Sequence, residues 1–394
     1  MDRNQFITAF AAAFDKISEN TKYNFQNHCV RTAFIAVRLG ELLKLPRTDL
    51  YDLYAYALLH DGGVSWHDSK FVNGTPEERL IAKKNHSENG EALIKDFPFI
   101  TEHKDIIKYH HSNWDGSGPF GLSGNAIPVF SQIIHISHKA ALLYAMRLTR
   151  KEVSDAIEIE RNGKFSPTLC DAFAALTSNP GFWVSVSDSF INDTASYPII
   201  TDEKSQLSLE QLIPIAKIIS AITDSKSAYT ENYSASLGEK ATVVADFYKY
   251  DDEHKTKITL AGYLLDIGKL SIPSSIEDKP GKLTDDEFAT VKSHPYYTHL
   301  ILSKIPGFED ITVWASNHHE KINGKGYPLG LGGDDLSEES RILAVLNVYQ
   351  ALIQPRSYRM SLPPEAIANI FNEEIANGNL DERITKDILS IFNK

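Results

Sequence analysis

Apolar residues recur at helical spacing along most of the chain. Val30, Phe34 and Val37 lie on one face of a first predicted helix, and residues 52–59 form a second apolar helix that ends at a pair of glycines. Alternating apolar and polar positions, which would indicate strands, are rare, and residues 184–186 are a short candidate. The pattern therefore predicts an all-α protein with a helical bundle in each half.

Residues that commonly bind metals are spread through the first half of this helical pattern. They are His28, His60, Asp61, His86, His110, His111 and His138. The first two are 32 residues apart, as are Tyr233 and Leu265 in the second half. His86 precedes His110 and His111 by 24 and 25 residues, and the same intervals separate His294 from His318 and His319. Two large segments that share a run of intervals indicate duplication of a domain that buries its own core.

Length and composition fit two globular lobes. The chain has 394 residues, of which 42% are apolar and 23% are charged. We expect a first lobe over residues 1–190 and a second lobe over residues 209–394. Residues 191–208 contain Asn, Asp, Thr, Ser and Pro in short order, and we expect them to form the connection.

Charge and cysteine content narrow the choice of partners and compartment. A net charge of −12 argues against a DNA-binding surface or an anionic-membrane surface, because both need clustered Lys and Arg. The sequence contains no convincing transmembrane span. Two cysteines, Cys29 and Cys170, give no disulfide framework and suit the cytoplasm.

Histidines on the buried faces of several helices can converge on one site. His110 and His111 each follow an isoleucine by four residues, so we expect both imidazoles to continue the buried stripe of a helix. One such histidine is usually a hydrogen-bonded core residue, but repeated spacing favours a metal site. An imidazole-rich set with one carboxylate suits transition metals, with Fe or Mn favoured and Zn, Ni or Co as alternatives. Asp61 beside His60 can bridge two ions, which divides the set into two sites that share Asp61.

Several local motifs point to a known family. The first half contains NHCVR, LLHDGG, KKNHSENG and KYHHSNWDGSG, and the second half contains YTENYS, LLDIGKLSIP, KPGKLTDDEF, KSHPYYTHLIL, NHHEKINGKGYPLGL and PRSYR. In this order, the motifs resemble those of the HD-domain phosphohydrolases, and within them the HD-GYP cyclic-dinucleotide phosphodiesterases. The second half is the clearer match. The resemblance implies an all-α fold of two tandem HD-type helical bundle domains.

The resemblance also implies two sets of metal ligands in the first lobe. One set is His28, His60, Asp61 and His138, and the other is Asp61, His86, His110 and His111. His138 stands where the family usually has Asp, and Asn24 stands where three-metal members have Glu, so we expect two ions. His60 and Asp61 would form the catalytic centre, where two divalent ions activate a water molecule and stabilise a phosphoryl group.

The first lobe departs from the family in its substrate contacts. It has Val64 in place of the family's lysine three residues after the HD aspartate, and it lacks the GYP motif. Candidate substrate-binding residues are Arg147, Arg150, Trp114 and Lys269. The two arginines would contact phosphate, the tryptophan would stack on a base, and the lysine of the second lobe would replace the lysine missing at position 64.

The second lobe keeps the family's substrate-contact motifs but lacks several of its metal ligands. It keeps the GYP motif at residues 326–328 and an arginine cluster of Arg356, Tyr358 and Arg359. Three ligands of one metal site are replaced there, by Tyr233, Leu265 and Asn347. A single metal site remains conceivable, formed by Asp266, His294, His318 and His319. We therefore expect the first lobe to be catalytic, and the second to regulate, to form a homodimer, to bind a protein partner or to help bind substrate.

The preferred interpretation is a metal-dependent phosphodiesterase that opens a cyclic dinucleotide to the linear dinucleotide. No motif distinguishes c-di-GMP from 3′3′-cGAMP as the substrate. One alternative is a cyclic-dinucleotide sensor or adaptor that does not hydrolyse its ligand, because each lobe lacks a different part of the machinery. Another alternative is an HD nucleotidase that acts on mononucleotides.

Overall fold

The computed structural model describes residues 1–15, 26–63, 74–194, 205–227, 230, 232–354 and 361–393. In these ranges the chain is helical, and extended pairing is limited to isolated bridges. The prediction of an all-α protein is therefore confirmed. The chain forms two compact units, a first lobe of Met1–Leu207 and a second lobe of Ser208–Lys394. None of the described helices is both long enough and apolar enough to cross a bilayer.

The first lobe consists of helices of very different lengths. They are α1 (Arg3–Thr8), α2 (Ala11–Phe14), α3 (His28–Leu42), α4 (Arg47–Leu59), α5 (Pro76–Leu93), α6 (Val129–Ala145), α7 (Arg150–Ile159), α8 (Pro167–Thr177), α9 (Pro180–Ser185) and α10 (Ile191–Thr194). A short 3-10 helix, Gly124–Ala126, precedes α6.

Helix α3 lies at the centre of the first lobe, where it packs against α4 and α6. The predicted apolar face of Val30, Phe34 and Val37 is buried. Helix α5 begins at a capping box, in which Thr75 accepts from the Glu78 N–H and the Glu78 carboxylate accepts from the Thr75 N–H. This box fixes the start of the helix that carries His86.

One prediction about local structure in the first lobe needs correction. The strand candidate at residues 184–186 is wrong, because residues 180–185 form α9, whose first turn is capped by the Asn179 side chain. The expected connection at residues 191–208 stays a prediction, and the structure describes both of its ends. Its first four residues form α10 with Ile191 buried, and its Leu207 N–H donates to the Met1 carbonyl at 2.8 Å. Residues 195–204 lie outside the described ranges.

The second lobe is a separate helical bundle. Its helices are α11 (Ile213–Asp224), α12 (Tyr233–Tyr248), α13 (Asp252–Leu264), α14 (Ser274–Glu277), α15 (Asp285–Val291), α16 (His294–Leu302), α17 (Glu309–Ser316), α18 (Glu338–Ile353), α19 (Pro364–Ala376) and α20 (Glu382–Phe392). Short 3-10 helices are formed by Glu210–Leu212 and Ile267–Ser271. Helix α12 packs against α13 and α18.

The two lobes share unusual local features at equivalent positions. Asn27 precedes α3 with φ 59°, and Asn232 precedes α12 with φ 58°. Asparagine is among the few residues other than glycine that adopt this left-handed conformation readily. Thr75 and Thr284 each form a capping box at the start of a later helix. These shared irregularities support the internal duplication that the repeated intervals predict.

Candidate metal centre

Five segments of the first lobe contribute the candidate ligands, and four of them are helices or directly follow a helix. His28 is the first residue of α3, and His60 and Asp61 directly follow α4. His86 lies on α5 and His138 on α6. Because α3 packs against both α4 and α6, ligands that are far apart in sequence face one another.

Four residues form what we call the first metal group. They are His28, His60, Asp61 and His138, whose ligand atoms all lie within 4.8 Å of one another. One carboxylate oxygen, Asp61 Oδ2, lies 3.2 Å from His60 Nε2, 3.7 Å from His28 Nε2 and 4.0 Å from His138 Nδ1. His60 Nε2 and His138 Nδ1 are 2.6 Å apart. The three imidazoles thus surround a single oxygen of Asp61.

The other oxygen of Asp61 belongs to a second metal group. This group consists of Asp61, His86, His110 and His111, again with ligand atoms within 4.8 Å of one another. Asp61 Oδ1 lies 3.4 Å from His86 Nε2, and His86 Nε2 lies 3.3 Å from His110 Nε2. Each carboxylate oxygen therefore faces a different set of imidazoles, an arrangement in which Asp61 could be shared by two ions.

Hydrogen bonds to the backbone orient two of these imidazoles. The carbonyl of Ala57 lies 2.7 Å from His60 Nδ1, and the carbonyl of Ile107 lies 2.5 Å from His110 Nδ1. A carbonyl oxygen can only accept, so each Nδ1 carries the proton and the lone pair of Nε2 points to the group. Partners of this kind fix the tautomer and the orientation of metal-ligating histidines.

The expectation that His110 and His111 lie on a helix is wrong. Residues 106–111 form hydrogen-bonded turns, although both histidines are buried as predicted. The Glu91 carboxylate holds these turns, because it accepts from the N–H groups of Ile107 at 2.8 Å and Lys108 at 3.1 Å. Sequence reasoning missed Glu91, since an exposed-looking acid at the end of a polar helix gives no signal of this role.

A close backbone contact sets the distance between Asp61 and His86. A Cβ atom on Gly63 would lie 2.3 Å from the Gly90 nitrogen and 2.4 Å from the His86 carbonyl oxygen. Real Cβ atoms do not approach other atoms so closely, so only glycine lets the turn after Asp61 touch α5. This contact was not predicted, because the sequence indicates only that a helix ends at the glycine pair.

The protonation states of the side chains suit metal binding. Burial holds the pKa of His110, His111 and His138 well below that of a free histidine, so these rings are neutral and keep a lone pair. Burial opposes ionisation of Asp61, but the neighbouring His60 holds the pKa of its carboxyl well below the usual range. Imidazoles around one carboxylate are donors that borderline transition metals prefer.

The second lobe assembles only part of this arrangement. His294, His318 and His319, which we call the histidine triplet, have ligand atoms within 4.8 Å of one another. Asp266 Oδ1 lies 3.3 Å from His294 Nε2 and 3.6 Å from that of His318. The other oxygen of Asp266 forms an ion pair with Lys269 Nζ at 2.7 Å. A lysine ammonium thus faces the carboxylate oxygen that corresponds to the first metal group.

Protein side chains occupy the remaining positions of that group. The Tyr233 hydroxyl donates to Asn347 Oδ1 at 2.7 Å, and Leu265 is fully buried. Lys269 Nζ lies 5.1 Å from the centre of the Tyr233 ring. A hydrogen-bonded pair, an apolar side chain and an ammonium therefore replace the ligands, and the second lobe retains ligands for at most one ion at this site.

The sequence and fold of both lobes match known proteins. The HD domain family matches residues 13–166 and residues 217–384, which together exceed half of the chain. The chain belongs to the HD domain family. The resemblance drawn from the sequence motifs is therefore confirmed, and each lobe contains one HD domain match.

Relatives of this HD domain protein carry phosphodiesterase names. The 3′3′-cGAMP-specific phosphodiesterases 1 and 3 of Vibrio cholerae are each 27% identical, over 91% and 88% of this chain and 85% and 86% of their own lengths. The cyclic di-GMP phosphodiesterase response regulator RpfG of Xanthomonas campestris is 37% identical over 38% of this chain and 39% of its own length. The crystal structure of V-cGAP3, a cyclic GMP-AMP-specific phosphodiesterase of V. cholerae, covers 100% of this chain and 98% of its own with a TM-score of 0.69 and 23% identity. That likeness establishes the fold.

The arginines predicted to contact substrate in the first HD domain have other neighbours. The Arg147 side chain is 77% exposed and pairs with Asp188 at 2.9 Å, and the same carboxylate pairs with the buried Arg31 at 2.7 Å. Arg150 lines a groove of about 610 Å³ together with Phe173 and Trp183, and no member of either metal group lines that groove. The structure therefore does not gather these arginines around the metal groups.

The other two candidates lie in well-defined local surroundings. Trp114 is half-buried. Its backbone N–H donates to the Lys164 carbonyl at 3.1 Å, and its backbone carbonyl accepts from the Gly124 N–H at 2.9 Å. Lys269 lies within the second HD domain, where it pairs with Asp266. The positions of Asn24, Val64, Arg356, Tyr358 and Arg359 lie outside the described residues.

Proposed function

We propose that this protein is a metal-dependent phosphodiesterase that hydrolyses a cyclic dinucleotide to the linear dinucleotide, and that the first lobe is its catalytic lobe. The observation that carries this proposal is the position of Asp61, whose two oxygens face two separate imidazole sets. Two relatives that match along most of the chain are named as cyclic-dinucleotide phosphodiesterases. The proposed ions are Fe or Mn, with Zn, Ni or Co as alternatives.

The residues of the first lobe fit this chemistry. When bound, two divalent ions would supply an activated water and stabilise the charge that develops on the phosphoryl group. Seven side chains hold the site, and Asp61 is the only carboxylate among them. With two divalent ions bound, the site would be strongly cationic, which would let a protein of net charge −12 attract an anionic phosphodiester.

Access to solvent favours the first lobe over the second. The side chains of Asp61 and His138 are 15% and 12% exposed, whereas that of Asp266 is 2% exposed. A phosphodiester must reach the ions directly, so the partly open group is the better catalytic candidate. We propose a regulatory, dimerising or partner-binding role for the second lobe.

We propose 3′3′-cGAMP as the first substrate to test. The 3′3′-cGAMP-specific phosphodiesterases 1 and 3 of Vibrio cholerae match 91% and 88% of this chain, although the 3′3′-cGAMP-specific phosphodiesterase 2 matches 29% of it. The cyclic di-GMP phosphodiesterase response regulator RpfG matches 38% of it. Because a specificity for two bases depends on the whole substrate pocket, the longer match is the better guide, and c-di-GMP remains the alternative.

The test is turnover of a nucleotide panel by purified protein reconstituted with Mn²⁺ or Fe²⁺. We expect the linear dinucleotide from 3′3′-cGAMP or c-di-GMP, separated by chromatography, and no turnover of mononucleotides. Asp61→Asn should abolish hydrolysis, and the matched variant Asp266→Asn should retain it. Stoichiometric metal without turnover would favour a sensor, and loss of activity only in Asp266→Asn would reverse the assignment of the lobes.

A further inference from the structure

Helices α3 and α12 begin without a cap from the residue that precedes them. Asn27 precedes α3 and Asn232 precedes α12, and each has a left-handed backbone and a side chain that forms no capping hydrogen bond. The first N–H groups of a helix have no partner within that helix, so they need an acceptor from elsewhere. This need bears on the first metal group, because the first residue of α3 is His28.

A buried aspartate supplies that acceptor in the first lobe. Asp15 directly follows α2, which packs against α3, and Asp15 is 4% exposed. Its Oδ1 accepts from the backbone N–H of Cys29 at 2.8 Å. Cys29 is the second residue of α3, so this hydrogen bond is formed directly beside His28. The helix dipole also favours a carboxylate at this end of a helix.

The second lobe contains the same arrangement. Asp224 is the last residue of α11 and is also 4% exposed. It accepts from the backbone N–H of Ser234 at 2.9 Å and from the Ser234 hydroxyl at 2.7 Å, and Ser234 is the second residue of α12. The sequence intervals differ, since Asp15 precedes Cys29 by 14 residues and Asp224 precedes Ser234 by 10. The buried aspartate therefore belongs to the duplicated fold, although the repeated intervals do not reveal it.

The two lobes differ in the side chain that this cap supports. In the first lobe it is His28, whose Nε2 lies 3.7 Å from Asp61 Oδ2 and whose ring lies 4.9 Å from the His138 ring. In the second lobe it is Tyr233, whose hydroxyl donates to Asn347. The ends of helices fray before their middles do. Loss of the cap in the first lobe would therefore loosen the turn that carries a candidate ligand.

We propose that Asp15 is a positioning residue for the first metal group, because its cap on α3 holds His28 at the place where an ion would bind. This inference rests on the proposed function, which takes the first metal group as an ion site. Groups that orient metal ligands without touching the ion have a strong effect on metal affinity. The second metal group does not contain His28. Loss of the cap should therefore weaken one ion more than the other.

The experiment titrates metal-free protein with Mn²⁺ in competition with a chelator. Asp15→Ala should bind one ion about 10-fold to 100-fold more weakly than the wild type and bind the other ion at the wild-type level. Hydrolysis of the preferred cyclic dinucleotide should fall at limiting Mn²⁺ and recover at saturating Mn²⁺. Asp15→Asn keeps an acceptor oxygen and should restore most of the affinity. If Asp15→Ala folds only with metal, the rate at which a chelator removes ions from the loaded protein replaces the titration, and the rate for one ion should rise by the same factor.

The matched control is Asp224→Ala, which removes the equivalent cap from the second lobe. It should leave Mn²⁺ binding by the first lobe and hydrolysis at the wild-type level. Unchanged affinity for both ions in Asp15→Ala, with an active wild type, would overturn this inference and leave the proposed function intact. Equal weakening of both ions, or the same weakening in Asp224→Ala, would indicate a general loss of structure and also overturn it. A wild type that binds two ions but cleaves no cyclic dinucleotide would refute the proposed function, and selective weakening of one ion in Asp15→Ala would still support this inference.

Discussion

Gly63 lies where the turn after Asp61 touches the helix that carries His86, and its replacement by alanine tests the whole arrangement. The new Cβ would lie 2.3 Å from the Gly90 nitrogen, whereas ordinary contact begins at 3.4 Å. Both neighbours are backbone atoms, so α5 would have to move away by about 1 Å. His86 Nε2 is 3.4 Å from Asp61 Oδ1, and a displacement of that size would pull it out of the second metal group.

We expect Gly63→Ala to bind about one ion fewer than the wild type and to lose about 100-fold in kcat/KM, because a misplacement of about 1 Å can cost that much. Overpacking should also lower the free energy of unfolding by about 1–3 kcal/mol. Metal content is measured by mass spectrometry of the purified protein, and hydrolysis is measured with the preferred cyclic dinucleotide. Circular dichroism verifies that the variant folds.

The internal duplication supplies a matched control. Gly268 has the equivalent place in the second lobe, where a Cβ would lie 1.9 Å from the His294 carbonyl oxygen. Gly268→Ala should destabilise the second lobe and retain hydrolysis if the first lobe is catalytic. Wild-type metal content and activity in a folded Gly63→Ala would refute the argument that this contact positions His86. Inactivity of Gly268→Ala alone would refute the assignment of catalysis to the first lobe.

Three further predictions follow from the contacts described. Removal of metal by a chelator should lower the transition temperature of the first lobe in calorimetry, and addition of Mn²⁺ should restore it. An unchanged transition temperature would contradict metal binding there. Glu91→Gln should lower the free energy of unfolding by about 2–4 kcal/mol in denaturant titrations, because an amide nitrogen cannot accept from the buried N–H groups, whereas the exposed Glu88→Gln should change it little. Burial raises the pKa of Asp224 to about 7 in the folded state, so this carboxyl contributes a loss of stability as pH rises from about 4 to 7, and the stability of Asp224→Asn relative to the wild type should rise by up to about 4 kcal/mol across that range. Identical stability–pH curves for Asp224→Asn and the wild type would exclude that origin.

The helical fold and the residues of the metal groups could be predicted because both depend on residue patterns that are visible in the sequence. Val30, Phe34 and Val37 repeat at the helical period, and their burial follows from it. Histidines at repeated intervals indicate one duplicated site, and the structure brings the first seven candidate ligands into two groups. Short local signals were less reliable, since the apolar residues around 184–186 belong to a capped helix.

The parts that sequence reasoning missed depend on contacts between distant residues. The isoleucines and histidines of residues 106–111 have helical spacing, but the Glu91 carboxylate accepts hydrogen bonds from backbone N–H groups of that segment and stabilises turns instead of a helix. The pairing of Lys269 with Asp266 is a local contact between residues three apart, but the spacing alone is equally compatible with a lysine that faces a substrate phosphate. The role of Gly63 also depends on α5, which only the fold brings next to it.

The hydrogen bond between Tyr233 and Asn347 has a consequence for how the protein matures. The second lobe completes this part of its interior from its own side chains as soon as it folds. The first lobe has imidazoles around one carboxylate at the same place, so under the proposed function it would reach its final state only after it acquires ions. In a metal-poor cell, a newly made chain would therefore have a fully folded second lobe and a metal-free first lobe. The supply of metal would then set the fraction of active molecules.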